Sequence, residues 1–116
     1  MDSASRACVA CAAARVSTGR VISHIYDYSQ GRHVSIGGTV SGKTVSLYDY
    51  ERSCHFSGTL PSLYDYGRSC HVQLNVNGSS FTGYDYGSGS HFSGSVSGNS
   101  VSLYDYGKGQ YFNYSV

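Results

Sequence analysis

VSLYDYGKGQYFNYSV, residues 101–116, contains the side-chain pattern from which the fold class follows. Side chains alternate along its first half, with Val101, Leu103 and Asp105 on one face and polar or aromatic residues on the other. A period of two is typical of a β-strand with one buried face. The second half alternates in the same way after residues 107–110, two of which are glycine. The stretch therefore predicts a β-hairpin with a four-residue loop.

The same unit occurs five times along the chain. Tyr-Asp-Tyr begins at residues 26, 48, 64, 84 and 104, with spacings of 22, 16, 20 and 20 residues. Five residues after the second tyrosine of each unit comes a His, or a Tyr in the last unit. Repeats of about 20 residues build stacked arrays of small structural units. We expect a ten-stranded antiparallel meander of hairpins, and the alternative is a five-coil β-solenoid, which fits the same alternation.

Composition indicates an all-β chain with one repeat domain. The 116 residues include 15 Gly and 12 Tyr but one Pro, no Trp and 13% charged residues, which favours strands and tight turns over helices. A chain of this length is expected to form one domain. We assign residues 21–116 to a single β-repeat domain. Residues 1–20 form an N-terminal segment, for which a short helix, a cap and an extra strand are all possible.

The spacing between units predicts the turns and the strand register. Each His is separated by an odd number of residues from the second tyrosine of the next unit, as antiparallel pairing of the two requires. This register centres the turns on residues 41–42, 60–61, 78–79 and 98–99 and places the second tyrosines and the His residues in one row. The predicted binding or assembly face consists of Tyr28, His33, Tyr48, Tyr50, His55, Tyr64, Tyr66, His71, Tyr84, Tyr86, His91, Tyr104, Tyr106 and Tyr111.

One carboxylate in each unit falls on the apolar face beside the loop. An isolated carboxylate is costly there, so we expect each one to accept hydrogen bonds from the N–H groups of the following loop and to stabilise the turn. Calcium binding is the alternative, but calcium loops gather several carboxylates and only Glu51 adds one here. The turn-stabilising residues are Asp27, Asp49, Asp65, Asp85 and Asp105.

The four cysteines are disulfide candidates. An even number in a small β-rich chain predicts bridges between Cys8 and Cys11 or between Cys54 and Cys70, provided that the compartment is oxidising. The second bridge is within reach in a solenoid but not in a meander, where two strands separate the loops. A zinc site drawn from the same cysteines is a further hypothesis, although the spacing of Cys54 and Cys70 is not that of a zinc finger.

Charge and hydropathy limit the partners. The net charge of +1 without a Lys/Arg cluster argues against nucleic acid, and no apolar run approaches the ~18 residues of a membrane helix, so we expect no membrane insertion. Residues 7–14 resemble the apolar region of a signal peptide, but Asp2 and Arg15 do not suit its flanks. We expect an extracellular or cell-surface location.

The predicted function is structural rather than enzymatic. Low charge and plain strand edges favour association with copies of the same chain, as in an extracellular fibre or surface layer. A carbohydrate or small-ligand binding module that uses the Tyr/His face is the alternative, and metal binding through His and Cys is the third hypothesis. No catalytic arrangement can be distinguished from the repeat itself, and we expect no cofactor.

Overall fold

Ten strands form a closed barrel around one helix. The computed structural model describes residues 1–116. Consecutive strands are antiparallel, and the first strand also pairs with the last. The all-β antiparallel meander is confirmed, and the solenoid alternative is wrong. The elements are α1 (Ser3–Thr18), β1 (His24–Asp27), β2 (Arg32–Ser41), β3 (Thr44–Asp49), β4 (Cys54–Thr59), β5 (Ser62–Asp65), β6 (Cys70–Asn77), β7 (Ser80–Asp85), β8 (Ser90–Ser97), β9 (Ser100–Asp105) and β10 (Gln110–Ser115).

Two-residue turns join the strands at one end of the barrel. Three of them, at residues 60–61, 78–79 and 98–99, lie where the sequence predicts. The first turn is Gly42-Lys43, one residue later than predicted. Gly42, Gly78 and Gly98 each take a φ near +60° as the first residue of their turn, a conformation that tight hairpins require and glycine adopts readily. The prediction for the first turn was wrong because it placed Gly42 at the second position of the turn, whereas Gly42 occupies the first.

Four-residue loops join the strands at the other end, and here the predicted register is wrong by two residues. The first tyrosine of each unit, rather than the second, lies opposite the His, as in the pair Tyr84 and His91. The loops therefore begin at the second tyrosine. Each ends in a residue with positive φ, such as Gly31 at 64° or Ser53 at 54°. This left-handed residue closes the turn one position earlier than we predicted, so the returning strand begins earlier too.

The corrected register explains why the sheet closes. In the predicted register one row of residues would run straight across all ten strands, which describes an open sheet without stagger. The observed pairing shifts by two residues in the same direction at every four-residue loop. A barrel requires such a cumulative stagger because its strands must tilt about the axis.

Helix α1 fills the barrel. Asp2 caps its start, with Oδ1 accepting a hydrogen bond from the N–H of Ser5 at 2.8 Å, and Gly19 ends it in the left-handed conformation with a φ of 71°. Residues 5–15 are buried on every side of the helix, and most of them are Ala or Cys, whose small side chains let the backbone fit inside the sheet. Of the alternatives left open for residues 1–20, the helix is therefore correct and the extra strand is wrong. It is not long and apolar enough to span a membrane.

Helix and sheet share one core. The inward residues of the strands, such as Leu47 and Phe56, pack in one cluster with residues 7–14 of α1. Phe81 and Phe92 lie opposite Gly94 and Gly83 on neighbouring strands, and a β-carbon on either glycine would collide with the facing ring. These glycines make room for bulky rings beside the helix. Residues 1–20 and residues 21–116 thus contribute to the same core.

Candidate functional site

The outer wall carries one aromatic cluster per hairpin. In each cluster the first tyrosine contacts both the second tyrosine and the residue opposite it, which is His33, His55, His71, His91 or Tyr111. Ring centroids are 4.7–5.1 Å apart and the rings meet edge to face at 66–78°. Edge-to-face contacts of this kind stabilise aromatic pairs. The predicted face is therefore divided into five separate clusters.

Exposure differs within each cluster. The first tyrosines are half-buried, whereas the second tyrosines and Tyr111 are 57–66% exposed. The second tyrosines lie in the loops. The ring of Tyr50 lies over the neighbouring strand and covers Gly37 so closely that a β-carbon there would meet the ring. The exposed rings are Tyr28, Tyr50, Tyr66, Tyr86, Tyr106 and Tyr111.

A groove of about 350 Å³ lies on the outer wall between two of these clusters. Its aromatic side is formed by Tyr84, His91 and Tyr106, and its polar side by Gln73, Asn75 and Thr82. The six side chains converge because Gln73 lies opposite Tyr84 and Asn75 lies opposite Thr82 across β6 and β7. We call this space, lined by these six residues with Gly83 and Phe92, the outer groove. No Asp, Glu, Lys or Arg lines it.

A second groove continues from the first. It has a volume of about 280 Å³ and shares Gln73 with the outer groove, while His71, Tyr86 and Ser62 form part of its wall. The two grooves thus lie side by side across β5, β6 and β7, with the amide of Gln73 between them. Aromatic rings, hydroxyls and amides line both grooves.

The carboxylates form a ring inside the loop end of the barrel. All five Asp side chains are buried, and Oδ1 of each accepts a hydrogen bond from the N–H group two residues later at 2.9–3.1 Å. This is the arrangement that an Asx turn requires. The carboxylates belong to Asp27, Asp49, Asp65, Asp85 and Asp105.

Cations bridge the carboxylate ring. Arg68 donates two hydrogen bonds to Asp85, at 2.7 and 3.0 Å, and one to Asp65 at 3.3 Å. Arg52 joins Asp49 to Asp65 in the same way, with donor–acceptor distances of 2.6 and 3.0 Å. Two arginines therefore connect the loops of three neighbouring hairpins.

The ionised state of the ring depends on these bonds. Burial works against the charge of Asp65, but hydrogen bonds from Ser5, Arg52 and Arg68 outweigh it and hold the pKa below its usual range. Burial opposes the charge of Asp85 too, yet hydrogen bonds from Arg68 and Ser88 lower its pKa. The ring is thus occupied by internal partners, which suits a structural role.

One carboxylate of the ring, that of Asp27, has fewer partners than the others. Asp27 contacts no cation, and its Oδ2 has no hydrogen-bond partner. Tyr114, which lies opposite Asp27 on β10, has a buried hydroxyl without a partner. Burial, and then the charge of Asp27, raises the pKa of Tyr114. This part of the ring lies where β1 and β10 close the barrel.

The disulfide prediction is wrong for both pairs. All four cysteines are free. Cys54 and Cys70 begin β4 and β6 with β5 between them, which separates them by ~10 Å, beyond the reach of a disulfide. Cys8 and Cys11 point to different partners inside the barrel, Arg52 and Ile22. Burial raises the pKa of Cys11 to about 12, so this thiol stays protonated near neutral pH.

Sequence reasoning missed the polar half of the outer groove. Gln73, Asn75 and Thr82 each occur in only one of the five repeats, so they do not belong to the repeated pattern from which the site residues were predicted. A search for residues that depart from the repeat would have found all three. No family model, curated protein or solved structure matches this chain.

Proposed function

We propose that this protein is a non-enzymatic carbohydrate-binding module whose outer groove takes an uncharged saccharide. The observation that carries the proposal is the convergence of Tyr84 and Tyr106 with the amides of Gln73 and Asn75 around one groove. Aromatic rings offer an apolar surface to the C–H face of a sugar. Amides both donate and accept hydrogen bonds, as sugar hydroxyls do.

Size and charge support the same ligand class. A groove of about 350 Å³ lies within the range of small-ligand sites, and a neighbouring groove of about 280 Å³ gives room for a second sugar unit. The absence of charged lining residues favours a neutral ligand over an anionic one. We place this activity outside the cell or at its surface, where free and surface-bound polysaccharides would be the ligands.

Loss of one exposed ring should weaken saccharide binding. We expect Tyr106→Ser to raise the Kd of a saccharide selected on a glycan array by about tenfold, because an aromatic contact of this kind contributes about 1–2 kcal/mol. Tyr106 is 59% exposed, so the fold should survive. Calorimetric titration with the selected saccharide measures the change.

Tyr66→Ser is the matched control. Tyr66 holds the equivalent position in another hairpin and is 57% exposed, but it lines neither groove. Its substitution should leave the Kd unchanged, while Gln73→Ala should weaken binding. Equal effects of the two tyrosine substitutions, or no saccharide binding by the parent chain, would count against the proposal.

Association with copies of the same chain is the second candidate. The observation that favours it is the set of six exposed tyrosines around the barrel on a chain with a net charge of +1. Pairing through strand edges has no free edge to use in a closed barrel, so association would be face to face. Light scattering across a concentration series separates the candidates: growth of the particle supports self-association, and a constant monomer mass argues against it.

A further inference from the structure

The first hairpin contains two imidazoles in contact. The rings of His24 and His33 have centroids 5.5 Å apart and meet at 73°. His24 lies opposite Ser35, and His33 lies opposite Tyr26, so the two histidines are diagonal neighbours on adjacent strands. Both are exposed on the outer wall. His24 is not among the predicted site residues, because it lies outside the Tyr-Asp-Tyr unit.

The other four hairpins lack this pair. The position of His24 is taken by Ser46, Ser62, Thr82 and Ser102, each diagonal to the aromatic residue of its own hairpin. Among aromatic rings, His55, His71 and His91 contact only tyrosines. They are two strands or more from one another, ~10 Å. The paired imidazoles distinguish β1 and β2 from the rest of the barrel.

We propose that His24 and His33 together bind a divalent transition metal ion, with Cu²⁺ preferred over Zn²⁺. Neutral imidazole nitrogens are good ligands for both ions, and nitrogen sites generally bind Cu²⁺ most tightly. Rings already in contact need only small rotations of exposed side chains to direct one nitrogen each at a common ion. No group of three or more His, Cys, Asp or Glu side chains offers a larger set, so water completes the coordination.

The surroundings suit a cation. The ring of Tyr26 lies 4.9 Å from that of His33, edge to face, which restricts the imidazole and lowers the entropy lost on binding. Arg32 is next to His33 in the chain, but its guanidinium is paired with Glu51 at 2.6 Å and donates to Gln30 at 2.9 Å. The positive charge next to His33 in the chain is therefore paired with a carboxylate.

Titration with Cu²⁺ alone tests the site. At about pH 7.5, calorimetry of the full chain should show one ion bound, and electron paramagnetic resonance should show two nitrogen ligands. His24→Asn and His33→Asn should each weaken Cu²⁺ binding at least tenfold. Removal of a group that only hydrogen-bonds to a metal ligand already costs ~10-fold or more in metal affinity, and these two residues are the proposed ligands themselves. His55→Asn is the matched control and should change nothing.

A second variant tests the geometry itself. Ser46→His places an imidazole diagonal to His55, as His24 is to His33, and should add a second Cu²⁺ of similar affinity. Circular dichroism confirms that each variant is folded. The proposal is overturned if His24→Asn binds Cu²⁺ as the parent does, if His55→Asn weakens binding equally, or if Ser46→His gains no second ion.

Discussion

Replacing Arg68 with methionine is expected to lower the free energy of unfolding by about 3–5 kcal/mol, because the loss of one partner leaves a buried charge uncompensated. Arg68 is the only cation that contacts Asp85, and it also contacts Asp65. Asp65 keeps Arg52 and Ser5, so Asp85 is the carboxylate left without a counter-charge. Urea unfolding at pH 7, followed by circular dichroism, measures the loss.

Acid should reduce the difference in unfolding free energy between the parent and Arg68→Met. The folded-state pKa values of Asp65 and Asp85 are held low, so their stabilising effect is present above the unfolded pKa of ~3.9 and is lost as the pH falls through the folded values. Parent and Arg68→Met should therefore approach each other in stability below about pH 4.

Arg32→Met is the control for Arg68→Met. Arg32 is 51% exposed and pairs with Glu51, so its loss should cost less than about 1 kcal/mol. Equal costs at pH 7 would refute the role of Arg68.

Placing a carboxylate at the centre of α1 should be equally damaging. We expect Ala10→Asp to destabilise the chain by about 3–5 kcal/mol, since Ala10 has no exposed surface and an unpaired buried charge is very costly. Strands β1, β2, β3, β6, β8 and β9 all pack against the helix, so it cannot turn the new side chain towards water. Thermal and urea unfolding measure the effect.

The same substitution at Ala4 is the control. Ala4 is half-buried in the first turn of α1, beside a space lined by the ion pairs Arg32–Glu51 and Arg52–Asp49. A carboxylate there lies at the positive end of the helix dipole and is not fully buried, so stability should change by less than about 1 kcal/mol. If Ala10→Asp were tolerated as well as Ala4→Asp, the helix could not occupy the interior.

Much of this fold could be predicted from the repeat. Alternation identified the strands, and odd spacings identified three of the four two-residue turns. The inward position of residues such as Leu103 and Asp105 followed from the same alternation. These features depend on side chains within a few residues of one another, and the sequence records them directly.

Closure of the barrel could not be predicted in this way. It depends on a two-residue stagger at each four-residue loop, and the stagger depends on whether a residue such as Ser53 adopts positive φ. The location of α1 inside the barrel follows from closure, because only a closed sheet has an interior to fill. The outer groove was not predicted because Gln73 and Asn75 belong to one repeat. They form a groove with Tyr106 only in the folded barrel.

Closure of the barrel by β1 and β10 removes the free strand edges and leaves the outer wall as the surface that carries the proposed saccharide groove. Nuclear magnetic resonance tests it directly through contacts between Tyr26 and Ser115 and through hydrogen exchange at Tyr28, whose N–H donates to the carbonyl of Asn113 at 3.2 Å. We predict cross-strand Overhauser effects between the two strands and slow exchange at Tyr28. Absence of these effects, with amides of β1 and β10 exchanging as fast as those of open strand edges, would contradict the closed barrel.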